Sequence, residues 1–170
     1  MSNTPKVAIV MGSKSDFDTV KKTVKMLKKF GVETEVRVMS AHRTPLEAAE
    51  FAQNAEANGI DVIIGAAGKA AHLPGVLAAY TILPVIGLPI KSSTLDGLDS
   101  LLSIVQMPTG IPVATVAVGG AENAGLLAVQ ILAGKYEHIK TALHAYKAEI
   151  HDAVMQQDSE VCEEISKGDF

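Results

Sequence analysis

Three short segments hold the residues best suited to chemistry in this 170-residue chain. The first, Gly12-Ser13-Lys14-Ser15-Asp16, offers a glycine for a tight turn, two hydroxyls and a carboxylate. Placed between a strand and a helix, its free amides and hydroxyls form an anion site, and Asp16 can accept hydrogen bonds from ribose hydroxyls. The same pattern also reads as a helix N-cap, Ser13 with Asp16 three residues on. The second, Ser40-Ala41-His42-Arg43-Thr44-Pro45, sets a hydroxyl, an imidazole and a guanidinium together. Arginine grips a phosphate through two bonds. Histidine titrates near neutral pH, so it both takes and gives a proton. Against this stands a surface histidine beside an arginine paired with a nearby carboxylate, and both readings remain open. The third, residues 65–75 (Gly-Ala-Ala-Gly-Lys-Ala-Ala-His-Leu-Pro-Gly), is walled by small residues that let a flat ligand approach the backbone. His72 falls where the next helix begins, and Lys69 is either solvated or a ligand contact.

The elements that must position these segments alternate regularly. Short apolar runs at 7–11, 36–39, 62–66, 84–87 and 113–118, each bounded by Gly, Ser or Pro, predict buried parallel strands. Between them lie helical patterns. The first buries Val20, Val24 and Leu27, shows its lysines to solvent and stops at Phe30-Gly31. The second opens on a capping box, Thr44-Pro45-Leu46-Glu47, and ends at Asn58-Gly59. Further helices start near His72-Leu73-Pro74 and span roughly 97–105 and 123–133. Five β–α units predict an α/β doubly wound sheet with helices on both faces, flavodoxin-like, of strand order 2-1-3-4-5. Ligands then bind at the carboxyl ends of the strands, beside the loops after strands one, two and three. The expected organisation is a single catalytic domain over 1–170: a core at about 6–134, a C-terminal helix at about 135–155 and a loose acidic tail at 156–170.

Composition removes several function classes. Hydrophobic residues make up 48% and charged residues 20%, which suits a globular chain. A net charge of -4 gives no electrostatic case for nucleic acid or an anionic membrane. The longest greasy stretch, 76–90, is broken by Thr81, Pro84, Gly87 and Pro89 and is too short to span a bilayer. The start is polar rather than a leader, so a cytoplasmic location is expected. The one cysteine, Cys162, has no internal partner and reads as a free thiol. His138, His144 and His151 on the last helix are too widely spaced for one metal, and His42 with His72 lacks a third ligand.

Taken in order and spacing, the three segments resemble those of the 5-(carboxyamino)imidazole ribonucleotide mutases of purine synthesis. The stretches Gly-Leu-Asp-Ser-Leu-Leu-Ser-Ile-Val-Gln-Met-Pro from Gly97 and Gly-Ile-Pro-Val-Ala-Thr from Gly110 match as well. The similarity runs from about Val7 to Ala133. It implies a flavodoxin-like fold, a homo-octamer, no metal and no organic cofactor. It puts Ser13, Ser15 and Arg43 around a 5′-phosphate and Asp16 at the ribose. Ser40, His42, Gly68, Ala70, Ala71, His72 and Leu73 then surround the imidazole and carboxylate, with His42 as the catalytic proton-transfer group. The implied chemistry moves a carboxyl from the exocyclic amine to carbon 4, through carbon dioxide held in a closed pocket. The partners implied are a small nucleotide and, transiently, an enzyme that supplies it.

Two departures from the family pattern stand out: Lys69 where glycine is usual, and a short 118–123 loop. The nearest rival is the related carboxylase that uses free carbon dioxide, whose members carry Lys in place of Arg43 and lack Ala-Ala-His-Leu-Pro-Gly. A non-catalytic flavodoxin-like nucleotide-binding module is the other alternative. A phosphoreceiver needs an acid ending strand three, where this chain has Gly-Ala-Ala-Gly, and a flavin carrier needs aromatics in its loops, where the three segments have none.

Overall fold

Strands that are apolar on both faces are stable only in a sheet covered on both sides, and the chain builds one. A computed structural model describes residues 4–93 and 95–168. The first three residues of the polar start and the last two of the acidic tail lie outside the described residues. Strands β1 (Lys6–Met11), β2 (Glu33–Val38), β3 (Val62–Ala67), β4 (Val85–Pro89) and β5 (Ala114–Thr115) pair in parallel. Their order is β2-β1-β3-β4-β5, the flavodoxin-like order expected from the sequence. Ile9 of β1 aligns with Val36 of β2 and Ile64 of β3, and Ile64 aligns with Ile86 of β4. The helices are α1 (Phe17–Lys29), α2 (Pro45–Asn54), α3 (Leu73–Ala79), α4 (Leu98–Val105), α5 (Ala121–Ala133) and α6 (Glu137–Lys167).

The two-residue period of the strands divides the core. Val7, Ile9, Met11, Val62, Ile64, Ala66, Ile86 and Leu88 face one way and pack with Val20 and Leu27 of α1, Ala124, Ala128 and Leu132 of α5 and Ile139 of α6. Ala8, Val10, Ile63, Ala67 and Val85 face the other way, against Ala48 and Ala52 of α2, Leu73 and Leu77 of α3 and Ile104 of α4. Three layers follow, with the central strands β1, β3 and β4 held between two helical layers. Helix α3 can reach the sheet because β3 carries Gly65, where a Cβ would lie 3.0 Å from the Pro74 Cα. That close approach brings the start of α3, with His72 and Leu73, against the carboxyl end of β3. At the opposite end, Asp61 ties three elements together. It accepts from the Lys6 amide (3.0 Å), Lys135 Nζ (2.7 Å) and the Tyr136 hydroxyl (3.1 Å).

Several boundaries differ from the sequence reading. Strand β2 begins at Glu33, three residues before the apolar run, because it is an edge strand. Its charged half is stable through pairing with β1 and the Lys6–Glu35 ion pair at 2.9 Å. Strand β5 shrinks to two residues. The Val116 amide bonds the Gly87 carbonyl and the Gly119 amide the Pro89 carbonyl, so three residues advance against two and the ladder loses register. Helix α2 stops at Asn54, and the chain turns at Gly59, where φ is 74°. Thr44 does not cap α2 as the capping-box pattern predicts. Helix α6 runs on through 156–167, where a loose tail is expected from its acidity. That stretch holds no Gly or Pro, carries i,i+4 pairs (Gln156–Glu160, Glu163–Lys167), and ends only at Gly168, φ 69°. No described helix is long and apolar enough to cross a membrane.

Candidate active site

A parallel sheet directs its strand-to-helix loops to one edge, and four of them enclose a cavity of about 540 Å³ there. The loop after β1 supplies Gly12, Ser13, Ser15 and Asp16. That after β2 supplies Ser40, Ala41, His42 and Arg43, and that after β3 supplies Ala67, Gly68, Lys69, Ala70 and Leu73. Ile90, Lys91, Ser92 and Ser93, after β4, complete the wall. Nine of the eleven residues singled out from the sequence therefore share one cavity. Ala71 and His72 do not line it: Ala71 is fully buried in the core beneath, and His72 stands behind His42. The β4 loop is the part sequence reasoning missed. Its position after a strand's carboxyl end was the available signal, since its residue types are ordinary.

The first loop folds on its own hydroxyls. Ser13 Oγ accepts from the Ser15 amide (3.3 Å) and the Ser15 hydroxyl (2.9 Å), and Ser15 Oγ also lies 3.1 Å from Asp16 Oδ1. Ser13 thus caps the short 3-10 turn Lys14–Asp16 ahead of α1, so the capping alternative is realised, with both hydroxyls still at the cavity wall. Asp16 is only 8% exposed, and burial pushes its carboxyl above the ordinary aspartate value, against hydrogen bonds from Ser15 and the Ser13 backbone.

A raised native pKa means that the folded chain holds this proton more tightly than the unfolded one. Stability then falls as pH rises from the ordinary aspartate pKa through the raised native value. Asp16→Asn is expected to flatten that slope and to raise the denaturation midpoint of the free protein at neutral pH, while weakening ligands that bond the carboxylate. Chemical denaturation of both proteins at acid and neutral pH checks it. An unchanged slope contradicts the burial argument.

The second loop bridges the other two. Arg43 Nη2 donates to the Gly12 carbonyl at 3.1 Å, which draws the guanidinium over the first loop. His42 Nε2 lies 2.8 Å from His72 Nδ1, with the rings edge to face at 4.9 Å between centroids. One ring donates and the other accepts, so the contact couples the tautomers of the pair. Neither carboxylate nor backbone intervenes at that bond. The cavity wall carries three cations, Arg43, Lys69 and Lys91, against one carboxylate, Asp16. Lys91 is held 3.2 Å from Asp96. Such a balance favours a ligand with more than one negative group.

Lys69 adopts φ 57°, the left-handed region that favours glycine. Lys69→Gly is expected to raise stability by roughly 1 kcal/mol through relief of that backbone. A thermal unfolding midpoint at or below that of the parent chain contradicts the assignment of strain to this residue. The 118–123 segment holds only a short connection, Val118-Gly119-Gly120, before α5 begins, and none of its residues reaches the cavity wall.

Comparison with known proteins gives a consistent result. The AIR carboxylase family model matches residues 6–153. An N5-carboxyaminoimidazole ribonucleotide mutase of Pyrococcus abyssi is 60% identical over 146 residues, covering 86% of this chain and 84% of the relative. The Thermotoga maritima protein of the same name is 53% identical over 153 residues, covering 90% of each. Among solved structures, that of Treponema denticola PurE superposes with a TM-score of 0.83 at 30% identity, covering 92% of this chain and 98% of that one.

Proposed function

The chain belongs to the AIR carboxylase family, and on that premise we propose that it is an N5-carboxyaminoimidazole ribonucleotide mutase, an isomerase of purine biosynthesis. It moves the carboxyl of the substrate's carbamate from the exocyclic amine to carbon 4 of the imidazole. The observation that carries the reading is the single cavity in which the hydroxyl loop after β1, the His42-Arg43 loop after β2 and the small-walled loop after β3 meet. Its volume falls in the range of roughly 300–1,000 Å³ typical of small-ligand sites.

In this reading Ser13, Ser15 and Arg43 hold the 5′-phosphate, and Asp16 accepts from the ribose hydroxyls. Gly68, Ala70 and Leu73, with Ser40, enclose the imidazole end. His42 gives a proton to the exocyclic nitrogen as its bond to the carboxyl breaks, which releases carbon dioxide beside the ring. The electron-rich carbon 4 attacks that carbon dioxide, and His42 takes back the ring proton, so the proton count closes over one turnover. Small walls keep the carbon dioxide near carbon 4 and keep water out. Phosphate binding supplies energy for positioning rather than for the chemical step. His72 fixes which nitrogen of His42 carries the proton. The sequence draws on no metal or organic cofactor.

We further propose that the 170 residues are one catalytic domain, cytoplasmic and assembled as a homo-octamer that receives its unstable substrate from a transient partner enzyme. Exposed Leu46 (80%) and Ile82 (85%) support burial against other copies. Initial rates test the activity: freshly made carbamate ribonucleotide at low bicarbonate against aminoimidazole ribonucleotide with added bicarbonate. Fast turnover of the carbamate alone supports the mutase. Turnover only with bicarbonate assigns the related carboxylase, and none with either leaves a nucleotide-binding module.

A further inference from the structure

Thr44 opens α2 without capping it. Its backbone is non-helical (φ -134°, ψ 56°), as an N-cap requires, yet its hydroxyl bonds no α2 amide. An N-cap hydroxyl normally accepts from an amide two or three residues ahead. Thr44 turns backwards instead: Oγ1 accepts from the Ser40 amide at 2.8 Å and donates to the Ser40 carbonyl at 3.2 Å. The Thr44 amide donates to that carbonyl as well, at 2.9 Å. Both backbone groups of Ser40 therefore end on Thr44, and a ring closes around Ala41, His42 and Arg43. The Ser40 hydroxyl fills the ring from inside, accepting from the amides of His42 (3.3 Å) and Arg43 (3.2 Å) and from Arg43 Nε (3.4 Å). From this ring Arg43 reaches the Gly12 carbonyl and His42 reaches His72.

We infer that Thr44 is a positioning residue for the reaction: its hydroxyl closes the loop that aims His42 and Arg43 into the cavity. A loop fastened only at its ends leaves two long side chains to find their places by chance. This one is cross-tied by a single hydroxyl acting as donor and acceptor, at the expense of the cap that α2 would otherwise have. Thr44 lies outside the cavity wall, so it acts through its neighbours and touches no substrate. The inference rests on the mutase reading for its kinetic consequence, and on the hydrogen bonds alone for its structural one.

The test compares Thr44→Val, which keeps the shape and removes the hydroxyl, with Thr44→Ser, which keeps the hydroxyl and removes the methyl. Full chains are assayed on fresh carbamate ribonucleotide, with thermal midpoints and the NMR signals of His42 and Arg43 recorded in parallel. Thr44→Val is expected to lose on the order of 100-fold in kcat, the scale of a misplacement of about 1 Å, and to raise KM as Arg43 loosens. Thr44→Ser retains most of the activity, so kcat follows the hydroxyl rather than the thermal midpoint. If Thr44→Val does not fold, Thr44→Ala takes its place with the same expectation. Parental kcat and KM in a variant without the hydroxyl overturn the inference, as does an equal loss in Thr44→Ser. If the parent chain does not turn over the carbamate, the mutase reading fails by itself. The His42 and Arg43 signals then decide: shifts in Thr44→Val but not in Thr44→Ser uphold the clasp, and unmoved signals overturn it.

Discussion

Replacement of His42 by asparagine is expected to leave a folded, nucleotide-binding protein that turns over roughly 10²- to 10⁴-fold more slowly, the range for loss of a positioned acid–base group. The side chain is solvent-exposed at the cavity wall, so its removal leaves no void in either core. Asparagine still offers a polar partner to His72 Nδ1, 2.8 Å away in the parent, but it cannot take and return a proton. The loss should therefore fall on kcat, with KM and the affinity for a nonreacting nucleotide little changed. Steady-state kinetics with calorimetric binding separate the two. Turnover at the parental rate removes His42 from the chemistry, and a loss of binding with kcat intact assigns it to the ligand instead.

The second large effect belongs to Arg43. Its guanidinium bonds the Gly12 carbonyl at 3.1 Å and the Ser40 hydroxyl at 3.4 Å, which holds it beside the hydroxyls of Ser13 and Ser15 in the cavity wall. A charged hydrogen bond is worth about 1.5–3 kcal/mol, so Arg43→Ala should weaken phosphate binding by roughly 10- to 100-fold. Arg43→Lys should recover little of this, because an ammonium cannot span two oxygens and the Ser40 and Gly12 contacts at once. The expected pattern is a raised KM with a smaller change in kcat, and a matching loss of affinity for a ribonucleoside monophosphate but not for the corresponding nucleoside. Equal losses for nucleotide and nucleoside would place Arg43 away from the phosphate.

Much of this site is legible in the sequence. Strands β1 and β3 announce themselves because they are central and apolar on both faces, and the segments after them inherit the carboxyl edge of the sheet. That placement brings Ser13, Asp16 and Gly68 together, and the loop after β2 adds His42 and Arg43 to the same cavity. Lys69 departs from a familial glycine, and its φ of 57° supplies the physical reason for that preference. What the sequence hid has two causes. Edge strand β2 begins among charged residues, where hydrophobic patterning is silent. Thr44 has two hydrogen-bonding choices, forward to the helix or backward to Ser40, and local sequence does not rank them. The same ambiguity attends Ser13, where capping and a place in the cavity wall are both realised. Ala71 and His72 lie within the recognised segment but outside the cavity, because the turn into α3 sends Ala71 into the core and leaves His72 to back His42.

The proposed reaction passes the carboxyl within one site, and a label follows it directly. The carbamate ribonucleotide is prepared with ¹³C in its carboxyl and turned over in unlabelled bicarbonate, and the product carboxyl is read by mass spectrometry. Retention of the label on carbon 4 is the predicted result, since carbon dioxide is recaptured before it leaves. A product carrying unlabelled carbon from the bulk pool would contradict the mutase account and place the chain with enzymes that carboxylate from free carbon dioxide.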